Sequence, residues 1–94
     1  MARYITLLRF TDLGAKNIKK STSRAHHFDK LANKCGVAVE GQYWTMGRYD
    51  GVLILRADTE KKMLHLLTEL SSLGYVRPET MQAFVDTDFD LIVD

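Results

Sequence analysis

The chain has 94 residues and a mass of 10.7 kDa, which is the size of a single domain. Hydrophobic residues make up 46% and charged residues 27% of it, a globular composition that argues against intrinsic disorder. The 13 basic and 12 acidic residues leave a formal net charge of +1, which argues against a dedicated nucleic-acid-binding protein.

The compartment is predicted from the single cysteine and from the start of the chain. Because Cys35 is the single cysteine, no disulfide can form within the chain, and a reducing compartment is expected. No apolar run approaches the roughly 20 residues of a membrane-spanning helix. The residues after Met1 lead directly into strand-like sequence, without the apolar region of a signal peptide. We therefore expect a cytoplasmic protein, one domain over residues 1–94, that contacts neither membranes nor nucleic acids.

The first half of the chain predicts a strand, a helix and a second strand. Residues 3–10 are rich in β-branched and aromatic types, which is typical of a strand. A helix capped near Ser21 and ended by Gly36 follows, and residues 37–46 form the next strand. The helix is indicated by apolar residues that recur at spacings of three and four: Ala25, Phe28, Leu31, Ala32 and Cys35.

The second half predicts a turn over 47–51, a strand over 52–57, a second helix and a last extended segment over 75–85. Pro78 lacks the N–H that a central strand uses, so this segment is expected at a sheet edge or with a bulge. Residues 86–94 predict a short amphipathic helix. The second helix is capped by Asp58 or Thr59 and ended by Gly74, and its core face consists of Met63, Leu66, Leu67, Leu70 and Leu73.

The order βαββαβ predicts an α+β protein with a ferredoxin-like sandwich, in which helices cover one face of an antiparallel sheet. The strands carry apolar residues on both faces, where a half-solvated sheet should alternate apolar with polar residues. We therefore expect a second copy to cover the open face, giving a homodimer or a multiple of dimers. The alternative is a ligand groove in a monomer. The alternation predicts that Tyr43 shares a face with Val37 and Val39, opposite Ala38, Trp44 and Met46.

Three segments carry a resemblance to a known family. Tyr43-Trp44-Thr45-Met46-Gly47-Arg48-Tyr49-Asp50 resembles the signature of the GYD domain family, and the segments 10–14 and 72–80 resemble two further blocks of it. The resemblance implies a dimeric α+β barrel, in which two ferredoxin-like sheets pack face to face. It implies little chemistry, because the wider superfamily contains cofactor-free monooxygenases, lactone isomerases, haem enzymes and ligand-sensing domains.

The Gly47–Asp50 segment has a structural and a functional interpretation. In the first, Gly47 supplies a positive φ and Asp50 bonds neighbouring backbone amides. In the second, Tyr49 donates a hydrogen bond to a ligand and Asp50 acts as a base. Tyr43 and Trp44 would line an aromatic cavity or an interface core. The candidate ligand-binding residues are thus Tyr43, Trp44, Arg48, Tyr49 and Asp50; weak catalytic candidates are Tyr49, Asp50 and His27.

No metal site and no cofactor are predicted. His26 and His27 are adjacent on a helix and therefore face different ways, which makes the pair a poor chelate. A basic cluster leads into the first helix and is interpreted as solvated surface, with anion binding beside the hydroxyls of residues 21–23 as the alternative. This cluster consists of Lys16, Lys19, Lys20 and Arg24.

Three functions remain open. The first is a homodimeric domain that binds a small hydrophobic or aromatic molecule in the barrel. The second is a cofactor-independent monooxygenase or isomerase, and the third is a structural assembly protein without a ligand. A pocket on the order of a few hundred Å³ with convergent Tyr, Arg or Asp side chains favours the first two, and a closed interior favours the third.

Overall fold

The computed structural model describes residues 1–93, and its elements follow the predicted order. The strands are β1 (Ala2–Phe10), β2 (Val37–Trp44), β3 (Gly51–Ala57) and β4 (Val76–Ala83). The helices are α1 (Asp12–Lys16), α2 (Ser21–Lys34), α3 (Glu60–Ser72) and α4 (Asp86–Val93), with a 3-10 turn at Ile18–Lys20 before α2.

Several element ends differ from the sequence-based bounds: β1 and β3 each begin one residue earlier, and β4 covers Val76–Ala83 rather than 75–85. β2 stops at Trp44 rather than at residue 46. The short helix α1 was not predicted; the Thr11 hydroxyl starts it by accepting a hydrogen bond from the amide of Gly14 at 3.1 Å. The predicted terminal helix is present as α4, and its last predicted residue, Asp94, lies outside the described residues.

The four strands form one antiparallel sheet in the order β2-β3-β1-β4, which confirms the α+β, ferredoxin-like fold. β4 is an edge strand, so Pro78 lies where a missing N–H is tolerated. Helices α2 and α3 end as predicted, because Gly36 and Gly74 adopt positive φ angles of 77° and 83°. No helix within residues 1–93 combines the length and apolar composition needed to cross a bilayer.

The hydrophobic core lies between α2, α3 and one face of the sheet, which we call the helix-covered face. Thr6 is the one polar residue buried there, and its hydroxyl shares a hydrogen bond of 2.8 Å with that of Thr80. Leu73, predicted on the core face, is 53% exposed because α3 has ended there. The core consists of Tyr4, Phe28, Ala32, Val37, Leu53, Leu55, Ala57, Met63, Leu66 and Leu70.

An irregularity in β2 makes one prediction wrong. The register to β3 shifts between Val39 and Gly41, so that Tyr43 lies opposite Val52, on the face away from Val37. A Cβ on Gly41 would lie 3.0 Å from Cε2 of Tyr43, so the glycine gives the Tyr43 ring room to pack beside it. Tyr43 therefore lies on the face away from Val37 and Trp44 on the same face as Val37, the reverse of what the alternation predicts.

The other face of the sheet, which we call the open face, has an apolar centre and a charged rim. At one end of the rim, Glu40 accepts from Arg3 at 3.0 Å and from Arg56 at 3.1 Å. At the other end, Arg9 lies opposite Arg77 across β1 and β4. Among residues 1–93, no helix packs over the centre, which consists of Ile5, Leu7, Tyr43, Val52, Ile54 and Met81.

Candidate functional site

A cavity of about 90 Å³ opens between the sheet and the helices, near the end of β1, and we call it the helix–sheet cavity. Its wall is mainly apolar and continuous with the core. Trp44, which is 51% exposed, lies at its edge. The lining residues are Leu8, Phe10, Ser21, Arg24, Ala25, Phe28, Gln42, Tyr43, Trp44, Asp50, Gly51, Leu53, Leu70, Leu73, Tyr75 and Val76.

Arg24 is the cationic residue of this lining. Its Nη1 donates to the carbonyl oxygen of Asn17 at 2.8 Å, and its guanidinium carbon lies 4.5 Å from the centre of the Tyr75 ring. Its Nη2 is buried and has no hydrogen-bond partner, and no carboxylate within residues 1–93 forms an ion pair with it. The positive charge thus lies beside the cavity without an ion-pair partner among residues 1–93.

Asp50 is the acidic residue of the lining, and backbone contacts hold it in place. One oxygen of its carboxylate, Oδ2, accepts a hydrogen bond of 2.8 Å from the amide of Phe10. Its own amide donates to the carbonyl of Leu8 at 2.8 Å, and its carbonyl accepts from the amide of Thr45 at 3.0 Å. These bonds match the structural interpretation of the turn, and Gly47 has the expected positive φ, 110°.

The three segments that carry the family resemblance meet beside this cavity. The Thr11 amide donates to the carbonyl of Tyr75 at 3.1 Å, and the Thr11 hydroxyl donates to that of Gly74 at 2.6 Å. Gly14 packs so closely that a Cβ there would lie 2.0 Å from the Tyr75 oxygen. With Asp50 bonded to Phe10, segments 10–14, 43–50 and 72–80 form one connected unit.

The structure brings some of the predicted site residues to the cavity and leaves others outside it. Trp44 and Asp50 line it, and Tyr43 borders it while its side chain stays 61% exposed. Tyr49 instead donates from its hydroxyl to Oε2 of Glu79 at 2.9 Å, on the side of the open face.

Arg48 and His27 also lie outside the cavity lining. The Arg48 guanidinium lies 6.0 Å from the Tyr49 ring, and Arg9 lies over the same ring at 5.2 Å. His27 is exposed on α2. Within residues 1–93, no three His, Cys, Asp or Glu side chains form a group that would hold a metal ion.

Arg24 and Tyr75 line the cavity but were not among the candidate ligand-binding residues. Arg24 was grouped with Lys16, Lys19 and Lys20, which are indeed exposed, whereas Arg24 itself is partly buried. A signal was available, because Arg24 precedes Phe28 by one helical turn and therefore lies on the core-facing side of α2. Its contact with Tyr75 was not accessible from spacing, since Tyr75 lies far along the chain.

Comparison with known proteins places this chain in a family. The GYD domain family model matches residues 4–93. A Thermus thermophilus protein named "Glutamine synthetase and cystathionine beta-lyase binding protein" is 30% identical over 89 residues, which cover 94% of each chain.

Two solved structures have a similar fold. One is TTHA0845 from Thermus thermophilus, with a TM-score of 0.59, 23% identity, and coverage of 90% of this chain and 95% of that one. The other is FFRP-DM1, with a TM-score of 0.60, 20% identity, and coverage of 89% of this chain and 100% of that one. At these identities the likeness shows the fold alone. With the family model spanning nearly all of the described residues, the chain belongs to the GYD domain family.

Proposed function

We propose that this GYD domain binds a small hydrophobic or aromatic molecule in the helix–sheet cavity and acts as a homodimer. The observation that carries the proposal is the cavity itself, an apolar recess that opens beside a half-exposed tryptophan. An apolar wall with a few polar groups at one end is the usual composition of a small-molecule site. Trp44 and Asp50 remain its proposed ligand-binding residues, together with Arg24 and Tyr75, whereas the Tyr43 side chain lies on the open face.

The size of the cavity limits the ligand. Its volume of about 90 Å³ is smaller than the roughly 300–1,000 Å³ of drug-sized sites. Apolar cavities of about 150 Å³ hold a single benzene ring. We therefore propose a one-ring ligand that extends past Trp44 toward solvent, rather than a haem or a nucleotide.

The homodimer is supported by the open face. Its apolar centre carries the partly buried side chains of Leu7, Val52 and Ile54, which no described helix of this protomer covers. Burying apolar surface contributes about 25 cal/mol per Å², so a second open face packed on the first would be stabilising. Because the charged rim surrounds rather than crosses the centre, two such faces can meet apolar against apolar.

The experiment has two readouts. Native mass spectrometry of the protein purified from its own host reports the oligomeric state and any retained molecule. Trp44 is the single tryptophan, so its fluorescence follows titration with a neutral aromatic probe, phenylacetamide. We expect a dimer and a saturable fluorescence change; a stable 10.7 kDa monomer at micromolar concentration contradicts the dimer.

A matched pair of variants locates the binding. Ala25 lines the cavity, so Ala25→Leu should fill it and abolish the saturable change. Ala15 is exposed on α1, so Ala15→Leu adds the same atoms away from the cavity and should leave binding unchanged. Equal binding by both variants would contradict the cavity as the site.

A second candidate function is a protein-binding role. It is favoured by the name of the Thermus relative, which describes binding to two enzymes. The open face, with its apolar centre and charged rim, has the composition of a protein interface. Mixing the protein with glutamine synthetase from its own host, followed by size-exclusion chromatography, should give co-elution if this function is shared, and separate peaks contradict it.

The enzyme alternative has less support. The Asp50 carboxylate bonds the Phe10 amide, the Tyr49 hydroxyl bonds Glu79, and His27 is exposed on α2. The three candidate proton-transfer groups therefore do not converge on the cavity. No observed geometry favours a monooxygenase or isomerase over a binding domain.

A further inference from the structure

We propose that Arg24 binds the carboxylate of the ligand, so that the helix–sheet cavity is a site for small monocarboxylic acids with an aromatic or apolar body. This inference rests on the proposed ligand in the cavity and names its chemical class. It is carried by the unpartnered guanidinium nitrogen of Arg24, together with the apolar wall that the same cavity presents.

The Arg24 guanidinium carries a positive charge that a ligand carboxylate would neutralise. A guanidinium carries five N–H donors and stays protonated, and a buried polar group without a partner is destabilising. Nη1 of Arg24 donates to the Asn17 carbonyl, whereas its Nη2 is buried and has no hydrogen-bond partner within the described residues. Its charge has no carboxylate partner there. A ligand carboxylate in the cavity beside the guanidinium would supply the missing charge partner.

Two contacts hold the Arg24 guanidinium in position. The Tyr75 ring lies 4.5 Å from the guanidinium and holds it by stacking, while the Asn17 carbonyl fixes one nitrogen. Tyr75 is itself held by the hydrogen bond from Thr11 to its carbonyl. An arginine fixed on two sides loses little side-chain entropy when a ligand binds, which favours affinity.

The electrostatic field in the cavity comes from the start of α2 and from Asp50 as well as from Arg24. Ser21 lines the cavity at the start of α2, and no side chain caps that helix, so its partial positive charge adds to that of Arg24. The single acid of the lining, Asp50, opposes an excess of negative charge. The guanidinium and the N-terminus of α2 attract an anion, whereas the Asp50 carboxylate in the same lining disfavours a dianion such as phosphate. The ligand's body would then lie against Leu8 and Leu53.

The experiment compares two probes of nearly equal shape, phenylacetate and phenylacetamide, by titration of the Trp44 fluorescence of the wild-type dimer. We expect phenylacetate to bind at least about tenfold more tightly, because charge-assisted hydrogen bonds are the stronger ones. Arg24→Gln should bring the ratio of phenylacetate to phenylacetamide affinity close to one. Lys30→Gln, which removes an exposed charge from the same helix, should keep the preference.

The outcomes separate the two levels of the argument. If neither probe binds the wild-type protein, the proposed ligand site itself is wrong. If both bind equally, or the amide binds more tightly, the site stands and the carboxylate inference is overturned. The wild-type comparison decides this even if Arg24→Gln fails to fold, and Arg24→Lys, which keeps the charge, should retain part of the preference.

Discussion

The two faces of the sheet carry similar residues in different states of burial. On β3, Leu53 and Leu55 are 5% and 0% exposed on the helix-covered face, whereas their neighbours Val52 and Ile54 are only partly buried on the open face. Apolar residues on both faces of a strand therefore do not by themselves distinguish a core face from a contact surface. What distinguishes them is the helices on one side and the charged rim on the other.

The sharpest way to test this comparison is to place a carboxylate on each face. Leu8 lies on the helix-covered face beside the core, so Leu8→Asp should lower the free energy of unfolding by about 3–5 kcal/mol or prevent folding. Ile54→Asp should leave a folded chain, because the open face is free, but weaken self-association. Circular dichroism melting and sedimentation measure the two effects. An Ile54→Asp protein that self-associates like the wild type would contradict the open face as the contact surface.

The second prediction concerns the rim of the helix–sheet cavity. Gly14→Ala should lower the free energy of unfolding by about 1–3 kcal/mol, because its Cβ would lie 2.0 Å from the carbonyl oxygen of Tyr75. The backbone of Tyr75 must move to make room for the new Cβ. Urea unfolding measures the loss, with the exposed neighbour variant Ala15→Ser as a control. Equal stability of Gly14→Ala and wild type would show that the segments are not tightly packed.

The third prediction compares two neighbours in one turn. Asp50→Ala leaves the Phe10 amide without its acceptor, so we expect a loss of about 1–3 kcal/mol in the free energy of unfolding. Tyr49→Phe removes only an exposed hydroxyl bond to Glu79, so stability should stay within about 0.5 kcal/mol of wild type. Chemical denaturation of both variants tests this. A larger stability loss for Tyr49→Phe than for Asp50→Ala would mean that the bond from Tyr49 to Glu79 is what holds the turn in place.

The fold followed from the sequence because its signals are local. Glycines with positive φ end α2 and α3, apolar residues at helical spacing identify the core, and Pro78 indicates an edge strand. The site followed only in part. A single irregularity in β2 moves Tyr43 to the other face, and strand alternation cannot reveal it. The burial of Arg24 depends on Tyr75, which only the tertiary fold brings close.

The smallest expected effect lies on the rim of the open face. A hydrogen bond from Arg3 holds the pKa of the Glu40 carboxyl below its ordinary value of 4.5, with a further contribution from Arg56. Because the folded-state pKa is the lower one, ionised Glu40 stabilises the folded chain above the unfolded-state pKa. This contribution is lost as the pH falls through the folded-state value. The exposure of Glu40 keeps the effect small and sensitive to salt.

Glu40→Gln should therefore melt at a lower temperature than wild type near neutral pH, and the two melting temperatures should converge in acid, at about pH 2. Asp90→Asn, which removes an exposed carboxylate from the second half of α4, is the charge control. If the difference between Glu40→Gln and wild type is the same at every pH, the ion pairs with Arg3 and Arg56 do not stabilise the fold.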